Sequence, residues 1–322
     1  MTIGTDVDRA AKLLADGELV AFPTETVYGL GADASRGDAV RKIFAAKGRP
    51  SAHPLIVHLA PGASLDGWAA EIPDAARALV AAAWPGPLTI VVAKGPRVDA
   101  ATTGGGTTVG LRVPAHPLAQ ALLRAFGGGV AAPSANRFGA VSPTTAAHVV
   151  GDLGDDVAYV LDGGPCAVGV ESTIVDFTRG QPALLRPGGM PRAMIEAIVG
   201  PLAAAGDDAP AAPGTLASHY APRAEVIAVA AVDVPATLAA IRDRRVVILA
   251  PRGAFAAWGS LPARAVPLPD DLDELAAVLY GTLRDLDAAG VDVVIAALPP
   301  AVGLGEAVGD RLRRAAGPRS PR

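Results

Sequence analysis

Residues 45 to 58 read Ala-Ala-Lys-Gly-Arg-Pro-Ser-Ala-His-Pro-Leu-Ile-Val-His, and they place Lys47 and Arg49 one residue apart. Only four of the 28 basic residues are lysines, so a lysine here suggests a need for a compact ammonium, which the planar guanidinium of arginine does not replace. Gly48 lets backbone come close to a ligand, and Pro50 ends the preceding helix. The stretch predicts either an anion-binding loop between a helix and a strand or a solvated basic turn. These residues alone leave both interpretations open.

Length and composition indicate a well-cored protein of two domains. The chain has 322 residues, 51% of them hydrophobic, and a mean hydropathy of +0.35, although much of this content is alanine. No apolar run is long enough to span a bilayer, and no signal peptide is visible. A single cysteine, Cys166, excludes an intrachain disulfide framework and fits a reducing cytosol. We therefore expect a cytoplasmic protein with no membrane partner.

The charge balance argues against a long polyanion as the main ligand. The net charge is −4 and the isoelectric point is about 5.7, whereas a constitutive nucleic-acid binder is usually basic. Any anion is therefore held by a local cluster of cations, which favours a small anionic ligand.

The first 200 residues predict a mixed α/β sheet, because strand and helix patterns alternate irregularly. Residues 24–31 predict a polar turn, and Ser142 predicts the N-cap of a helix that runs to Val150. The other expected strands are 19–22, 55–59, 88–93, 109–113, 158–162, 172–177 and 182–186, and the expected helices are 7–15, 38–46, 73–83, 117–125 and 191–199.

The rest of the chain predicts a linker and a smaller second domain. Residues 202–213 are rich in Ala, Gly, Asp and Pro, which is the composition of a linker. Beyond them, strand patterns alternate with helical patterns, as in a small doubly wound, Rossmann-like module. The expected organisation is a first domain over 1–200, a linker over 201–223 and a C-terminal domain over 224–322.

Polar clusters lie in loops and at strand ends of the first domain, where ligand-binding groups usually collect. They consist mainly of hydroxyls, one amide and cations, with few paired carboxylates and no obvious nucleophile. Such a set suits anion binding and the orientation of reactants more than covalent catalysis. The members are Thr24 to Thr26, Lys47, Arg49, Thr107, Thr108, Arg112, Ser134, Asn136, Ser142, Ser172, Thr173 and Arg186.

Several other site types are unsupported. The glycine runs lack the GxGxxG spacing after a strand, no Walker A motif occurs, and Ser134 lacks the glycines of a nucleophile elbow. His53 and His58 have opposite parity if 54–59 is a strand, so they would face opposite sides and we expect no metal site there.

Each polar residue also has a structural interpretation. Thr24 and Thr26 could form a turn, and Ser142 could simply cap a helix. Arg186 could be a plain loop cation. Arg112 could lie at the surface, but its place between two apolar strand residues predicts an anionic partner.

A series of motifs, in order across residues 5 to 200, resembles the signature of the YrdC-type L-threonylcarbamoyladenylate synthases. They are Phe22-Pro23-Thr24-Glu25-Thr26-Val27-Tyr28-Gly29-Leu30, Lys47-Gly48-Arg49-Pro50, His53-Pro54-Leu55, Trp84-Pro85-Gly86-Pro87-Leu88-Thr89, Leu111-Arg112-Val113-Pro114, Ala132-Pro133-Ser134-Ala135-Asn136, Glu171-Ser172-Thr173-Ile174-Val175-Asp176 and Leu185-Arg186-Pro187-Gly188. Pro213-Gly214-Thr215, His219-Tyr220-Ala221-Pro222 and residues 303–315 resemble the longer, two-domain form.

This resemblance implies a twisted mixed sheet enclosing a concave cationic cavity in a catalytic first domain. It implies a nucleotidyltransferase (adenylyltransferase) that makes threonylcarbamoyl-AMP and pyrophosphate from L-threonine, bicarbonate and ATP, with Mg²⁺ accompanying the ATP. The product would serve the threonylcarbamoyl-adenosine modification of tRNA. It would be handed to a tRNA threonylcarbamoyl transferase, with weak or absent tRNA binding by this chain.

The resemblance also implies residue roles. Lys47 and Arg49 would be the catalytic cations that neutralise phosphate and carbonate oxygens. The threonine-binding residues would be Thr26, His58, Arg112, Ser134 and Ser172, and the ATP-binding residues would be Arg49, His53, Thr108, Asn136, Ser142, Arg186 and Tyr220, with no protein metal site. The linker would fold over the nucleotide through Tyr220. His53 stands where the family commonly has asparagine, and Ala212 stands where a serine often precedes the proline.

Two alternatives remain from other classes. A concave cationic cavity could bind RNA, although the acidic balance and the lack of aromatic platforms disfavour this. A related carbamoyl-transfer enzyme of hydrogenase maturation would carry zinc-finger and acylphosphatase segments that this chain lacks.

Overall fold

The computed structural model describes residues 2–206 and 208–318, which divide into two compact units. The first unit holds the chain up to Thr215, except for Gly139–Val141 and Val168–Val170. Those two segments and the residues from Leu216 onward form the second unit. The break at Thr215 falls inside the predicted linker, and the predicted boundaries at 200 and 223 stay predictions.

The described part of the first unit contains one sheet of 11 strands, together with six α-helices. Its strands are β1 (Thr2–Gly4), β2 (Val20–Phe22), β3 (Gly29–Asp33), β4 (Ile56–His58), β5 (Leu88–Ala93), β6 (Thr108–Arg112), β7 (Val130–Ala131), β8 (Tyr159–Leu161), β9 (Thr173–Asp176), β10 (Ala183–Arg186) and β11 (Ala203–Ala204). Its helices are α1 (Val7–Ala15), α2 (Gly37–Lys47), α3 (Asp74–Ala83), α4 (Pro117–Phe126), α5 (Ala146–Leu153) and α6 (Arg192–Val199).

The strand order is β1-β8-β2-β3-β7-β4-β6-β5-β9-β10-β11. The pairs β1/β8, β2/β8, β4/β6, β5/β9 and β10/β11 are parallel, and the others are antiparallel. This mixture confirms the predicted mixed sheet. Since β4 and β6 are parallel neighbours, His58 pairs in register with Arg112, so two predicted site residues end adjacent strands.

Two local predictions were wrong. Residues 24–31 are not all turn, because Gly29–Asp33 forms β3, a strand of small residues that pairs with β2 and β7. Ser142 does not cap α5: the N-cap is Thr145, whose hydroxyl accepts from the backbone N–H of His148 at 3.3 Å. Local patterns could not show the long-range pairing in the first case, or the later start of the helix at Ala146 in the second.

The end of α2 explains the glycine after Lys47. Gly48 has a φ of +62°, the left-handed conformation of a helix C-cap, and its N–H bonds to carbonyls of the last turn. A Cβ there would meet no atom within 4 Å, so conformation rather than space requires glycine. The helix therefore stops at Lys47, and the chain turns at once toward Arg49.

The second unit is a smaller α/β module with a parallel sheet in the order β12-β15-β13-β14. This confirms the predicted second module. Its strands are β12 (Glu225–Ala230), β13 (Val246–Pro251), β14 (Arg264–Leu268) and β15 (Val293–Leu298), and its helices are α7 (Val234–Ala239), α8 (Arg252–Trp258), α9 (Leu272–Ala288) and α10 (Gly305–Ala315).

Nowhere in residues 2–206 and 208–318 is there a helix with the length and apolarity that a membrane span requires.

Candidate active site

Lys47 reaches from the end of α2 to the loop after β7. Its side chain is only 3% exposed, and its Nζ donates to the carbonyl of Ser134 at 2.6 Å and to the main-chain carbonyl of Asn136. A third, longer contact of 3.4 Å joins it to Oδ1 of Asn136. Burial, and then the charge of Arg49, hold the pKa of Lys47 well below its usual range. Three predicted site residues are thus brought into direct contact.

Arg49 and His53 follow in the same loop and share an aromatic neighbour. The guanidinium of Arg49 lies 5.6 Å from the ring centroid of Phe138, and the His53 ring meets Phe138 edge-on at 5.4 Å. Arg49 also donates to the carbonyl of Pro54 at 3.0 Å. Burial, and then the charge of Arg49, lower the pKa of His53, so its imidazole is neutral at pH 7.

Only one of the two histidines, His58, lies in strand β4. The strand covers Ile56–His58 only, so His53 lies in the turn before it and strand parity does not relate the two rings. His58 is buried in the strand and meets Phe22 edge-on at 5.9 Å. Burial, and then the charge of Arg112, lower the pKa of His58 to about 3.

The loop between β2 and β3 is held by the hydroxyl of Thr24. Its Oγ1 accepts from the N–H groups of Thr26 and Val27 at 3.2 Å and donates to the carbonyl of Val27 at 2.6 Å. The Oγ1 atoms of Thr24 and Thr26 lie 2.8 Å apart, and both side chains are buried. The turn interpretation therefore holds for Thr24, and it fixes the position of Thr26.

Arg112 has the anionic partner that its position in β6 predicted. Its Nη2 lies 2.8 Å from Oε1 of Glu25, and both residues are buried. The Nε of Arg112 donates to the carbonyl of Gly86 at 3.3 Å, and Oε2 of Glu25 accepts from the N–H of Ala115 at 3.0 Å. Arg112 is therefore a buried, anchored cation and not a surface residue.

Ser172 and Arg186 meet beside strand β5. The Oγ atoms of Ser172 and Thr89 lie 2.8 Å apart, and the guanidinium of Arg186 donates to the carbonyl of Ser172 through Nε at 3.2 Å and Nη2 at 2.9 Å. Arg186 is 3% exposed, so it is not a plain loop cation. Its Nη1 donates to the carbonyl of Pro213 at 2.7 Å.

The segment around Pro213 packs on the face of the large sheet. Ala212 belongs to a buried apolar cluster with Ile56, Val91, Ile174 and Leu185. A cavity of about 10 Å³ remains between this segment and the strands, and Thr108 contributes to its lining. That volume is about what one water needs. The predicted linker therefore covers the sheet at this place, and the concave cationic cavity itself stays a prediction.

Ser142 donates to Oε1 of Glu171 at 2.6 Å, and both residues are buried. Ser134 is half-buried and forms a bridge with Gly29. This bridge brings the loop after β7 against the start of β3.

Tyr220 lies in the second unit. Its φ is +59°, and its ring stacks on Tyr280 with a centroid distance of 5.9 Å. His219 meets the same ring edge-on at 4.2 Å, and the guanidinium of Arg311 lies 4.9 Å from its centroid. The predicted contact of Tyr220 with a nucleotide stays a prediction.

Sequence reasoning missed the roles of three residues, which are Glu25, Thr89 and Glu171. All three lie inside the motifs quoted above, and each is the direct partner of a predicted site residue. Glu25 could have been found as the one acidic residue in a loop of hydroxyls, because Arg112 was expected to have an anionic partner.

Comparisons with protein families support the two-part organisation. The Sua5–YciO–YrdC family model, described as "Telomere recombination", matches residues 12–188. A second model, described as "Threonylcarbamoyl-AMP synthase, C-terminal domain", matches residues 190–317.

Curated relatives resemble the chain over nearly its whole length. A threonylcarbamoyl-AMP synthase of Pyrococcus abyssi is 43% identical, covering 96% of this chain and 93% of its own. One of Bacillus subtilis is 42% identical, covering 97% and 93%. The crystal structure of P. abyssi Sua5 complexed with L-threonine matches with a TM-score of 0.90 at 40% identity, covering 98% of this chain and 96% of that one.

Proposed function

The chain belongs to the Sua5–YciO–YrdC family in its two-domain form, and on this premise we propose that it makes threonylcarbamoyl-AMP and pyrophosphate from L-threonine, bicarbonate and ATP. This is the work of a nucleotidyltransferase that transfers the adenylyl group of ATP. The observation that carries the proposal is the full-length likeness to the P. abyssi protein whose crystal structure contains L-threonine.

The chemistry has two bond-forming steps. The amine of threonine forms a carbamate either by attacking bicarbonate, with loss of water, or by attacking the CO₂ derived from it, with loss of a proton. A carbamate oxygen then attacks the α-phosphorus of ATP, and pyrophosphate leaves. Several anions must meet in one place, so fixed cations and hydrogen-bond donors contribute more than a covalent nucleophile would. The buried Lys47, Arg112 and Arg186 supply such cations.

The division of residues between the substrates is part of the proposal. Lys47 and Arg49 neutralise phosphate and carbonate-derived oxygens. Threonine is held by Thr26, His58, Arg112, Ser134 and Ser172, and ATP by Arg49, His53, Thr108, Asn136, Ser142 and Arg186, all within the first unit.

The contacts of Arg112 refine how it would hold the carboxylate. Its Nε bonds to Gly86 and its Nη2 is paired with Glu25, so the edge formed by Nε and Nη2 is already engaged. Nη1 has no partner among the described residues. The threonine carboxylate is therefore bound through Nη1 rather than through a free bidentate edge.

Mg²⁺ would accompany ATP and neutralise part of the triphosphate charge. Within the described ranges, no group of three or more His, Cys, Asp or Glu side chains could hold a metal ion. Mg²⁺ usually keeps several waters and binds substrate phosphates with one or two carboxylates, so a dedicated cage is not needed. Ser142 and Glu171 are oxygen donors of the kind that Mg²⁺ takes.

The product would pass to a transferase that modifies tRNA, and this chain would bind tRNA weakly or not at all. The net charge of −4 supports that division of labour. We place the activity in the cytoplasm, where the modified tRNA is used.

Mass spectrometry of a reaction containing ATP, ¹³C-bicarbonate and L-threonine tests the function. The expected product is threonylcarbamoyl-AMP carrying one ¹³C atom, formed together with pyrophosphate. A parallel reaction with L-serine should give much less product. Absence of a labelled adenylate with folded protein would refute the proposal.

A further inference from the structure

We propose that Glu25 is a positioning residue that fixes the guanidinium of Arg112 for the carboxylate of L-threonine. This inference rests on the proposed function, in which Arg112 binds that carboxylate. Glu25 acts through Arg112 and does not itself touch the substrate.

The carboxylate of Glu25 joins the loop that carries Thr26 to the end of strand β6, which carries Arg112. Its Oε1 lies 2.8 Å from Nη2 of Arg112, at the end of β6, and its Oε2 accepts from the N–H of Ala115 at 3.0 Å. Glu25 itself precedes Thr26 in the loop that Thr24 holds rigid. One side chain thus sets the distance between the loop of Thr26 and the end of the strand that bears Arg112.

The geometry leaves one end of the guanidinium for a ligand. Nη2 and Oε1 are fully enclosed, and although they lie 2.8 Å apart, they are not aligned as a hydrogen bond. The contact is therefore an ion pair held by charge and packing, and a ligand does not reach these two atoms. Nη1 is left without a partner in the described part of the chain, so Glu25 orients the nitrogen that would meet the substrate.

Charge balance explains why a carboxylate is needed at this position. Arg112 is 4% exposed, and an unpaired buried cation is strongly unfavourable. The other titratable groups that sense this charge are neutral: burial lowers the pKa of His58 to about 3 and raises the pKa of the Cys166 thiol to about 12. Without Glu25, the guanidinium would turn toward other acceptors, and Nη1 would lose its direction.

A purely structural ion pair predicts a different pattern of kinetic changes from a positioning role. If Glu25 only stabilises the fold, its loss lowers the amount of active enzyme and affects all substrates alike. If Glu25 orients Arg112, its loss weakens binding of the threonine carboxylate and spares ATP. L-Threoninamide separates the two cases, because it lacks the carboxylate that Arg112 would bind.

The test uses the full-length chain with Glu25→Gln, which keeps the shape and removes the charge, and Glu25→Asp, which keeps the charge at a shorter reach. Glu18→Gln is the matched control, since Glu18 forms an exposed ion pair with Lys42 on the same unit. Threonine-dependent pyrophosphate release gives KM for L-threonine and for ATP, and inhibition by L-threoninamide gives its Ki.

For Glu25→Gln we expect KM for L-threonine to rise at least tenfold, while KM for ATP and Ki for L-threoninamide change less than twofold. Glu25→Asp should show the same pattern at about threefold, which keeps the test valid if the glutamine variant does not fold. A threonine KM within twofold of the wild type, or an equal rise for threonine and threoninamide, would overturn the proposal. Failure of the proposed function is distinct, because the unmodified chain would then show no threonine-dependent pyrophosphate release.

Discussion

The ammonium of Lys47 is bonded to the main chain of Ser134 at 2.6 Å, so the last residue of α2 fastens the loop that follows β7. Asn136, in the same loop, accepts a second bond from the ammonium. The side chain predicted to be catalytic therefore also fixes the shape of a loop that carries two predicted binding residues. Burial, and then the charge of Arg49, lower the pKa of Lys47, so an anion that enters beside it would stabilise the charged ammonium.

Replacement of Lys47 should abolish the reaction. We expect Lys47→Ala to reduce threonine- and bicarbonate-dependent pyrophosphate release by at least a hundredfold, because both the charge and the loop anchor are lost. Lys47→Arg should reduce the rate to a similar degree, since the planar guanidinium of arginine cannot present three donors from a single nitrogen as the ammonium does. Lys42→Ala, on the exposed face of the same helix, should stay within twofold. An unchanged rate for Lys47→Ala would remove Lys47 from the mechanism.

Lys47 and Arg112 illustrate what the sequence could predict at the site. The lysine was singled out by its rarity and by its place before glycine, and the arginine by its place between apolar strand residues; both are buried. The partners of these cations could not be predicted locally, because Ser134 is 87 residues from Lys47 and Glu25 is equally far from Arg112 along the chain. Such contacts depend on the order of strands in the sheet.

The same limit applied to the fold. Strands with β-branched residues, such as Leu88–Ala93, were predicted within a residue, whereas β3 was missed. Gly29–Asp33 has weak intrinsic strand propensity and forms because β2 and β7 pair with it on both sides. The family resemblance, which is confirmed, identified the function from motifs that local propensity does not explain.

His53 should behave as a neutral donor despite replacing the usual asparagine. Burial and Arg49 lower its pKa, so the imidazole carries no charge in the free enzyme at pH 7 and above. We therefore expect the ratio of kcat/KM for ATP between the wild type and His53→Asn to be constant from pH 7 to pH 8.5, because kcat/KM reports the free enzyme. Pyrophosphate release across that range measures it. A step in the ratio within this window would mean that His53 titrates there.

His58 should make the protein less stable in acid. Its pKa is about 3 in the folded chain and near 6.5 when unfolded, so the unfolded state binds the extra proton as pH falls below 6.5. Folding stability contributed by the neutral ring is complete above pH 6.5 and declines toward pH 3, by about 2 kcal/mol between pH 7 and pH 5.

Urea unfolding at pH 7 and pH 5 measures this effect for the wild type and for His58→Gln, which does not titrate. The loss of unfolding free energy on acidification should be smaller in the variant by about that amount. Equal losses in the two proteins would show that His58 does not titrate differently in the two states.

The start of α5 gives a stability prediction that separates a cap from a buried hydrogen bond. Thr145→Ala should lower the free energy of unfolding by about 1 kcal/mol, because the hydroxyl of Thr145 caps the helix. Ser142→Ala should cost about 1–3 kcal/mol for another reason, since it removes a buried donor to Glu171. Only Ser142→Ala should also raise KM for ATP. If Thr145→Ala left the free energy of unfolding unchanged, the assignment of Thr145 as the helix cap would be wrong.

Arg186 should control the segment that covers the sheet. Its guanidinium holds the carbonyls of Ser172 and Pro213, so Arg186→Gln should release the segment around Pro213 from strands β4, β5, β9 and β10. We expect the amide hydrogens of residues 209–216 to exchange at least tenfold faster. We also expect KM for ATP to rise about tenfold, because the variant loses charged hydrogen bonds worth roughly 1.4 kcal/mol. Hydrogen-exchange mass spectrometry and pyrophosphate release measure the two effects.

Arg192→Gln, on the half-exposed side of α6, is the matched control and should change neither the exchange rate nor KM for ATP. Faster exchange without a change in KM for ATP would mean that this covering segment contributes nothing to nucleotide binding.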